Sequence, residues 1–152
     1  MIWSVVLIVG SALTIGNALT DEATGITVLL KQILTPVFEG QSPLVFTITI
    51  VVIACVLTNI CNNMVVGMLL IPIIHVFSQQ IGAGSAAIAC LSMYMVCIAV
   101  VTPAASTTSA ILHGNTKWLK IGDIYKYGIL MSIISLIAVL AVGLPIANIF
   151  FS

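Results

Sequence analysis

Two short runs of uncharged polar residues hold the groups able to do chemistry. One is Thr58-Asn59-Ile60-Cys61-Asn62-Asn63, the other Thr102-Pro103-Ala104-Ala105-Ser106-Thr107-Thr108-Ser109. Between Glu39 and Lys117 the chain has no Asp, Glu, Lys or Arg, so these runs are its main polar interruptions there. Hydroxyls, side-chain amides and freed backbone carbonyls are oxygen donors suited to a small hard cation such as sodium. The N–H groups exposed where a helix begins suit an anion. At membrane depth, backbone leaves its helix only where it is buried in protein or lines a wet cavity. Two such breaks therefore predict a binding site for something that crosses a membrane.

The elements around them must be membrane elements. The chain is 61% hydrophobic and 5% charged, with a mean hydropathy of +1.32. Soluble domains are roughly 25% charged, and a 152-residue soluble fold could not cover itself with so little charge. The formal net charge of zero argues against nucleic acid as a partner. Cys55, Cys61, Cys90 and Cys97 lie in apolar runs without CxxC spacing and read as buried filler, not a disulfide or metal framework. No nucleophile–base pair or metal-ligating cluster stands out, so the expectation is a non-enzyme with no cofactor beyond a coupling ion. His75 and His113 read as interfacial or loop residues, Trp118 and Tyr125 as interface anchors, and Asp21, Glu22 and Asp123 as solvated caps.

The pattern predicts an all-α integral membrane fold. Residues 3–19 form a transmembrane helix, with Gly10-Ser11-Ala12 and Gly16-Asn17-Ala18 permitting close packing. Residues 22–38 form an interfacial helix, in which Ile26, Leu29, Leu30, Ile33 and Leu34 share one face. Residues 43–77 form a re-entrant hairpin with its tip at 58–63; its arms of about fifteen residues, roughly 22 Å, fall short of a roughly 30 Å hydrocarbon core. The rival is one long tilted helix through Asn62-Asn63. Residues 86–112 form a discontinuous helix broken at 102–109, and 129–151 a last span. Lys117, Lys120 and Lys126 place the loop before that span in the cytoplasm. The hairpin then opens to the outside. Met1-Ile2-Trp3 has no basic n-region, which argues against a signal peptide and suggests the tail of a longer chain.

The motifs have a family likeness. Leu57 to Ile73 resembles the segment around the Ser-Asn-Thr signature of the divalent-anion/sodium symporter family. Asn62, Asn63 and Met64 take the three signature places, and Pro72 falls at the family's proline. Pro103 to Gly114 resembles the family's Pro-Val-Ala-Thr-Pro-Pro-Asn-Ala-Ile-Val-Phe-Gly loop. Trp3, Gly10, Leu13 and Gly25-Ile26, and Asp123-Ile124-Tyr125-Lys126-Tyr127-Gly128, echo two further stretches. The likeness covers nearly the whole chain but only the family's C-terminal repeat.

The resemblance implies an elevator-type transporter built from two inverted repeats, usually dimeric. Each repeat would bind one sodium ion between a hairpin tip and an unwound helix, with the anion between the two tips. Carried over, the sodium ligands are the Thr58 hydroxyl, the Cys61 carbonyl, the Asn63 side chain and the Ala105 carbonyl. The substrate-binding residues are Asn62, Asn63, Met64, Ser106 and Thr107, with helix starts at Asn63-Met64 and Ser106-Thr107 offering N–H groups. The substrate would be a dicarboxylate, citrate or sulfate. Other partners would be the membrane lipid, the missing N-terminal repeat and a second copy. Met64 lacks the hydroxyl of the signature Thr, and Ser106-Thr107-Thr108-Ser109 replaces Thr-Pro-Pro-Asn, which weakens the case for a C4-dicarboxylate. Two other readings stand beside this one: a proton-coupled permease of arsenite type, and a non-transporting membrane subunit.

Overall fold

The computed structural model describes residues 14, 25, 28, 29, 32, 36, 38, 40–115 and 117–151. The expected span at 3–19 and interfacial helix at 22–38 lie outside the described residues except at those isolated positions. Every regular element among the described residues is helical. They are α1 (Pro43–Ile60), α2 (Asn63–Gln80), α3 (Ser85–Cys97), α4 (Thr107–Gly114), α5 (Ile121–Ala138), a π turn (Val139–Gly143) and α6 (Leu144–Phe151). Three stretches are long and apolar enough to cross a membrane: Pro43–Ile60, Asn63–Gln80 and the continuous Ile121–Phe151. The protein is a membrane protein on that basis.

Local chemistry sets the ends. Ser42 caps α1, its hydroxyl accepting from the Val45 N–H at 3.4 Å, and Pro43 fills a first-turn place that needs no N–H donor. α1 stops at Cys61, whose backbone turns extended while its N–H still reaches the Leu57 carbonyl at 2.7 Å. After only Cys61 and Asn62, α2 begins. It closes at Gly82, which adopts a φ of +67° that a side chain would resist.

The direction of α2 follows from three rings. Phe38 meets Phe46, near the start of α1, at 5.0 Å between centroids and Phe77, near the end of α2, at 5.3 Å. The open ends of the two helices therefore lie together, and α1 and α2 form an antiparallel helical hairpin. Phe46, Ile50, Val51 and Ala54 of α1 pack with Val66, Leu70, Ile74 and Phe77 of α2 and with Ile88, Leu91 and Met95 of α3. The opposite faces, including Val52 and Val56 on α1 and Ile129, Ile133 and Ile137 on α5, remain apolar and exposed, as a lipid-facing surface requires.

The last helix bends its hydrogen-bond pattern at Pro145. Proline has no N–H for the carbonyl four residues back. Just before it the ladder widens, and the Leu144 N–H reaches the Val139 carbonyl five residues back. Within this wide turn, Gly143 lies so close to α3 that a Cβ would stand 3.0 Å from a Leu91 methyl.

Several boundaries differ from the sequence expectation. The hairpin arms run Pro43–Ile60 and Asn63–Gln80, 18 residues each or about 27 Å, so arm length no longer argues that they stop short of a full crossing. Helix continues through Thr58, Asn59 and Ile60 because their polar groups are satisfied without leaving it, and only Cys61-Asn62 breaks. The second interruption covers 98–106, not 102–109, and Thr107 to Ser109 are already helical. The final helix starts at Ile121, with Asp123 in its first turn, rather than at 129.

Candidate functional site

The two interruptions meet. The Asn63 N–H, at the first position of α2, donates to the Ala105 carbonyl at 3.0 Å. This bond ties the hairpin tip to the unwound stretch between α3 and α4. Ala105 is fully buried there, and its own N–H closes a turn onto the Thr102 carbonyl at 3.1 Å.

Each side of the meeting point is held by a helix cap. Asn62 is the N-cap of α2, its side-chain oxygen accepting from the Met64 N–H at 3.0 Å. Ser106 is the N-cap of α4. Its hydroxyl accepts from the Ser109 N–H at 3.1 Å and donates to the Ala99 carbonyl at 2.6 Å. The Ser109 hydroxyl donates to the Val100 carbonyl at 3.1 Å. On the α3 side, the fully buried Thr58 donates to the Val96 carbonyl at 2.8 Å, serving one of the carbonyls that a helix C-terminus leaves open.

Asn59 does the most to hold the unwound stretch. It is 7% exposed, and its oxygen accepts from both the Val100 N–H at 3.1 Å and the Val101 N–H at 3.0 Å. Its nitrogen donates to the Cys55 carbonyl at 2.8 Å and lies 3.4 Å from the Ile98 carbonyl and 3.3 Å from the Ser132 hydroxyl. Both lone pairs and both N–H hydrogens of the amide are thus used inside the protein. On the far side of the stretch, Gly128 of α5 lets the backbone approach: a Cβ there would stand 3.2 Å from both the Val100 carbonyl oxygen and the Val101 Cα.

The residues selected from sequence therefore fall into distinct positions. Asn63 and Ala105 are brought together. Thr58 of α1 is buried against the end of α3, with its proton spent on Val96 and its oxygen lone pairs left. Cys61 is exposed at the tip, and Met64 is exposed beside it. The N–H groups of Asn63 and Met64, expected to face an anion, already have acceptors in Ala105 and Asn62. The Asn62 oxygen is likewise committed to its cap. The first turn of α4 is different. Ser106 serves Ser109 and Ala110, while the N–H groups of Thr107 and Thr108 have no acceptor among the described residues.

Two residues carry more than the sequence reading assigned them. Asn59 stood inside the first polar run without a role of its own. Thr102 stood inside the second, and its buried hydroxyl has no partner among the described residues. A buried hydroxyl left so costs about 1–3 kcal/mol, which a ligand or water would offset. The two interruptions carry neutral oxygens on Thr58, Asn63, Thr102 and Ala105 and two open N–H groups on α4, and the backbone bonds join Asn63, Ala105 and Thr102. No charged side chain belongs to this group. No protein-family model matches the sequence.

Proposed function

We propose that the chain is one repeat of a sodium-coupled secondary transporter for a small divalent or multivalent anion, a dicarboxylate, citrate or sulfate, in a multi-pass protein of the cell membrane. The observation that carries this reading is the Asn63 N–H to Ala105 carbonyl bond, which joins two helix interruptions lined by neutral oxygens. In this reading α1 and α2 are a re-entrant hairpin, and α3 and α4 are the halves of a discontinuous helix. The cation sits among the Thr58 hydroxyl, the Cys61 and Ala105 carbonyls and the Asn63 side chain. The orphan Thr102 hydroxyl supports a ligand close by. The anion sits over the open start of α4 at Ser106 and Thr107, beside Asn62, Asn63 and Met64. A second, inverted repeat, in the same polypeptide or another, supplies the remaining contacts.

One observation favours a non-transporting membrane subunit instead. Asn59, Asn62, Ser106 and Ser109 all have internal partners, which is what a purely structural interruption needs.

The native thiols separate the two readings. Cys61 is exposed at the tip, while Cys90 is exposed on α3 away from both interruptions and serves as the reference. For the chain in lipid nanodiscs, sodium slows maleimide labelling of Cys61 relative to choline and leaves the reference thiol unchanged. Asn63→Ala removes that difference. Equal Cys61 rates in sodium and choline for the unaltered chain would sink the cation site and leave the subunit reading in place. With the second repeat present, proteoliposome uptake of sulfate, succinate and citrate then identifies the substrate; uptake that persists in choline and follows a pH gradient identifies proton coupling.

A further inference from the structure

We infer that Asn59 is the positioning residue of the site: its amide holds Ile98 to Val101 unwound and so fixes Ala105 against the hairpin tip. Val100 and Val101 follow the end of α3, and their N–H groups would continue its ladder if they found carbonyls four residues back. Instead both N–H groups donate to one oxygen on a different helix, 41 and 42 residues away in sequence. Without that acceptor both N–H groups lose their partner among the described residues, and nothing else in hydrogen bonding keeps the stretch at this register.

The same side chain binds three elements at once. It is anchored on its own helix through the Cys55 carbonyl, on the unwound stretch through Val100, Val101 and the more distant Ile98 carbonyl, and on α5 through the Ser132 hydroxyl. Ser132 is itself oriented, because its hydroxyl donates to the Gly128 carbonyl at 3.0 Å. Asn59 lies four residues before Asn63, and Val101 four before Ala105. The Asn59 bonds and the Asn63 to Ala105 bond are therefore two rungs between the same two segments. The first rung sets the register of the second. Asn59 touches no ligand in this account, since its hydrogen-bonding capacity is used up within the protein. It acts through Ala105 and Asn63.

The role of Asn59 in shaping the stretch does not depend on sodium, although its value for binding rests on the cation reading of the site. Two substitutions separate hydrogen bonding from packing. Asn59→Leu keeps the branching and the number of side-chain heavy atoms and removes the acceptor together with the donors. Asn59→Asp keeps an oxygen able to accept both N–H groups. The readouts are amide hydrogen exchange at Val100 and Val101 in nanodiscs, Cys61 labelling, and its sodium dependence.

In Asn59→Leu the two amides exchange roughly tenfold faster or more, as expected for loss of a hydrogen bond apiece, and Cys61 labelling changes, while amides in the middle of α1 and α5 keep their protection. Asn59→Asp restores protection at Val100 and Val101. Unchanged protection in Asn59→Leu overturns the inference, because packing alone then holds the stretch. Lost protection with unaltered Cys61 labelling also overturns it, because the tip is then seated independently. If Asn59→Leu unfolds, failure of Asn59→Asp to protect the two amides in a folded protein is the overturning result. A sodium effect absent from the unaltered chain refutes the cation reading alone and leaves the exchange result to decide the role of Asn59.

Discussion

Gly128→Ala puts two opposing effects in competition at the most crowded point of the fold. Alanine is the better helix former, by about 1 kcal/mol in a helix interior. Its methyl, however, would sit 3.2 Å from the Val100 carbonyl oxygen and from the Val101 Cα, a few tenths of an ångström inside ordinary contact. Overpacking of this kind costs about 1–3 kcal/mol. The neighbours are backbone atoms, and the Asn59 oxygen holds both adjacent N–H groups, so they have little freedom to retreat. The unfavourable effect should win by up to about 2 kcal/mol, a factor of up to roughly 30 in the population of the seated stretch. Amide exchange at Val100 and Val101 should rise by that factor, with the middle of α5 protected as before. An alanine variant that is more stable, with both amides as protected as in the unaltered chain, would refute the close approach and the rigidity assigned to this segment.

Two further expectations follow from single contacts. Thr58→Val keeps the shape of the side chain but leaves the Val96 carbonyl without its donor; thermal unfolding in detergent should register a loss of about 0.5–2 kcal/mol, which Thr58→Ser avoids. Phe38→Leu removes both ring pairs that gather the open ends of the hairpin. It should cost about 1–3 kcal/mol more in reversible unfolding of the unaltered chain than in a Phe46→Leu/Phe77→Leu background, where those pairs are already gone.

The existence of the two interruptions was legible in the chain because each shows itself locally. Asn62-Asn63 and Pro103 with its following hydroxyls are poor company for a membrane helix, and the apolar runs beside them are long. Their limits were not legible, because the deciding bonds span great distances in sequence. Nothing near Val100 announces that its N–H will be taken by Asn59. So the visible hydroxyls mark 102–109, whereas the interruption begins at Ile98. The reverse error arose at the hairpin tip. Thr58 and Asn59 look like helix breakers, yet Thr58 bonds across to Val96 and Asn59 bonds back to Cys55, and α1 runs on to Ile60. Helix starts leave N–H groups open, and on that ground alone those of Asn63 and Met64 would face an anion. Which of them a neighbouring carbonyl or a cap occupies is a tertiary fact. Gly128 gave a motif match but no reason; the reason is the backbone packed against it.

The level at which the unwound stretch lies along α5 has an electrical meaning. Val100 rests on Gly128, and Lys126 is only two residues, about 3 Å of helix rise, further along. The ends of the hairpin arms lie some 18 residues, about 27 Å, in the other direction. With a bilayer spanning from the lysine level to the face where Phe46 and Phe77 gather, most of a transmembrane voltage would fall between Val100 and that face. A monovalent ion reaching the unwound stretch from that face would then traverse most of the field, worth up to about 2.3 kcal/mol per 100 mV, whereas one arriving from the lysine face would feel little of it.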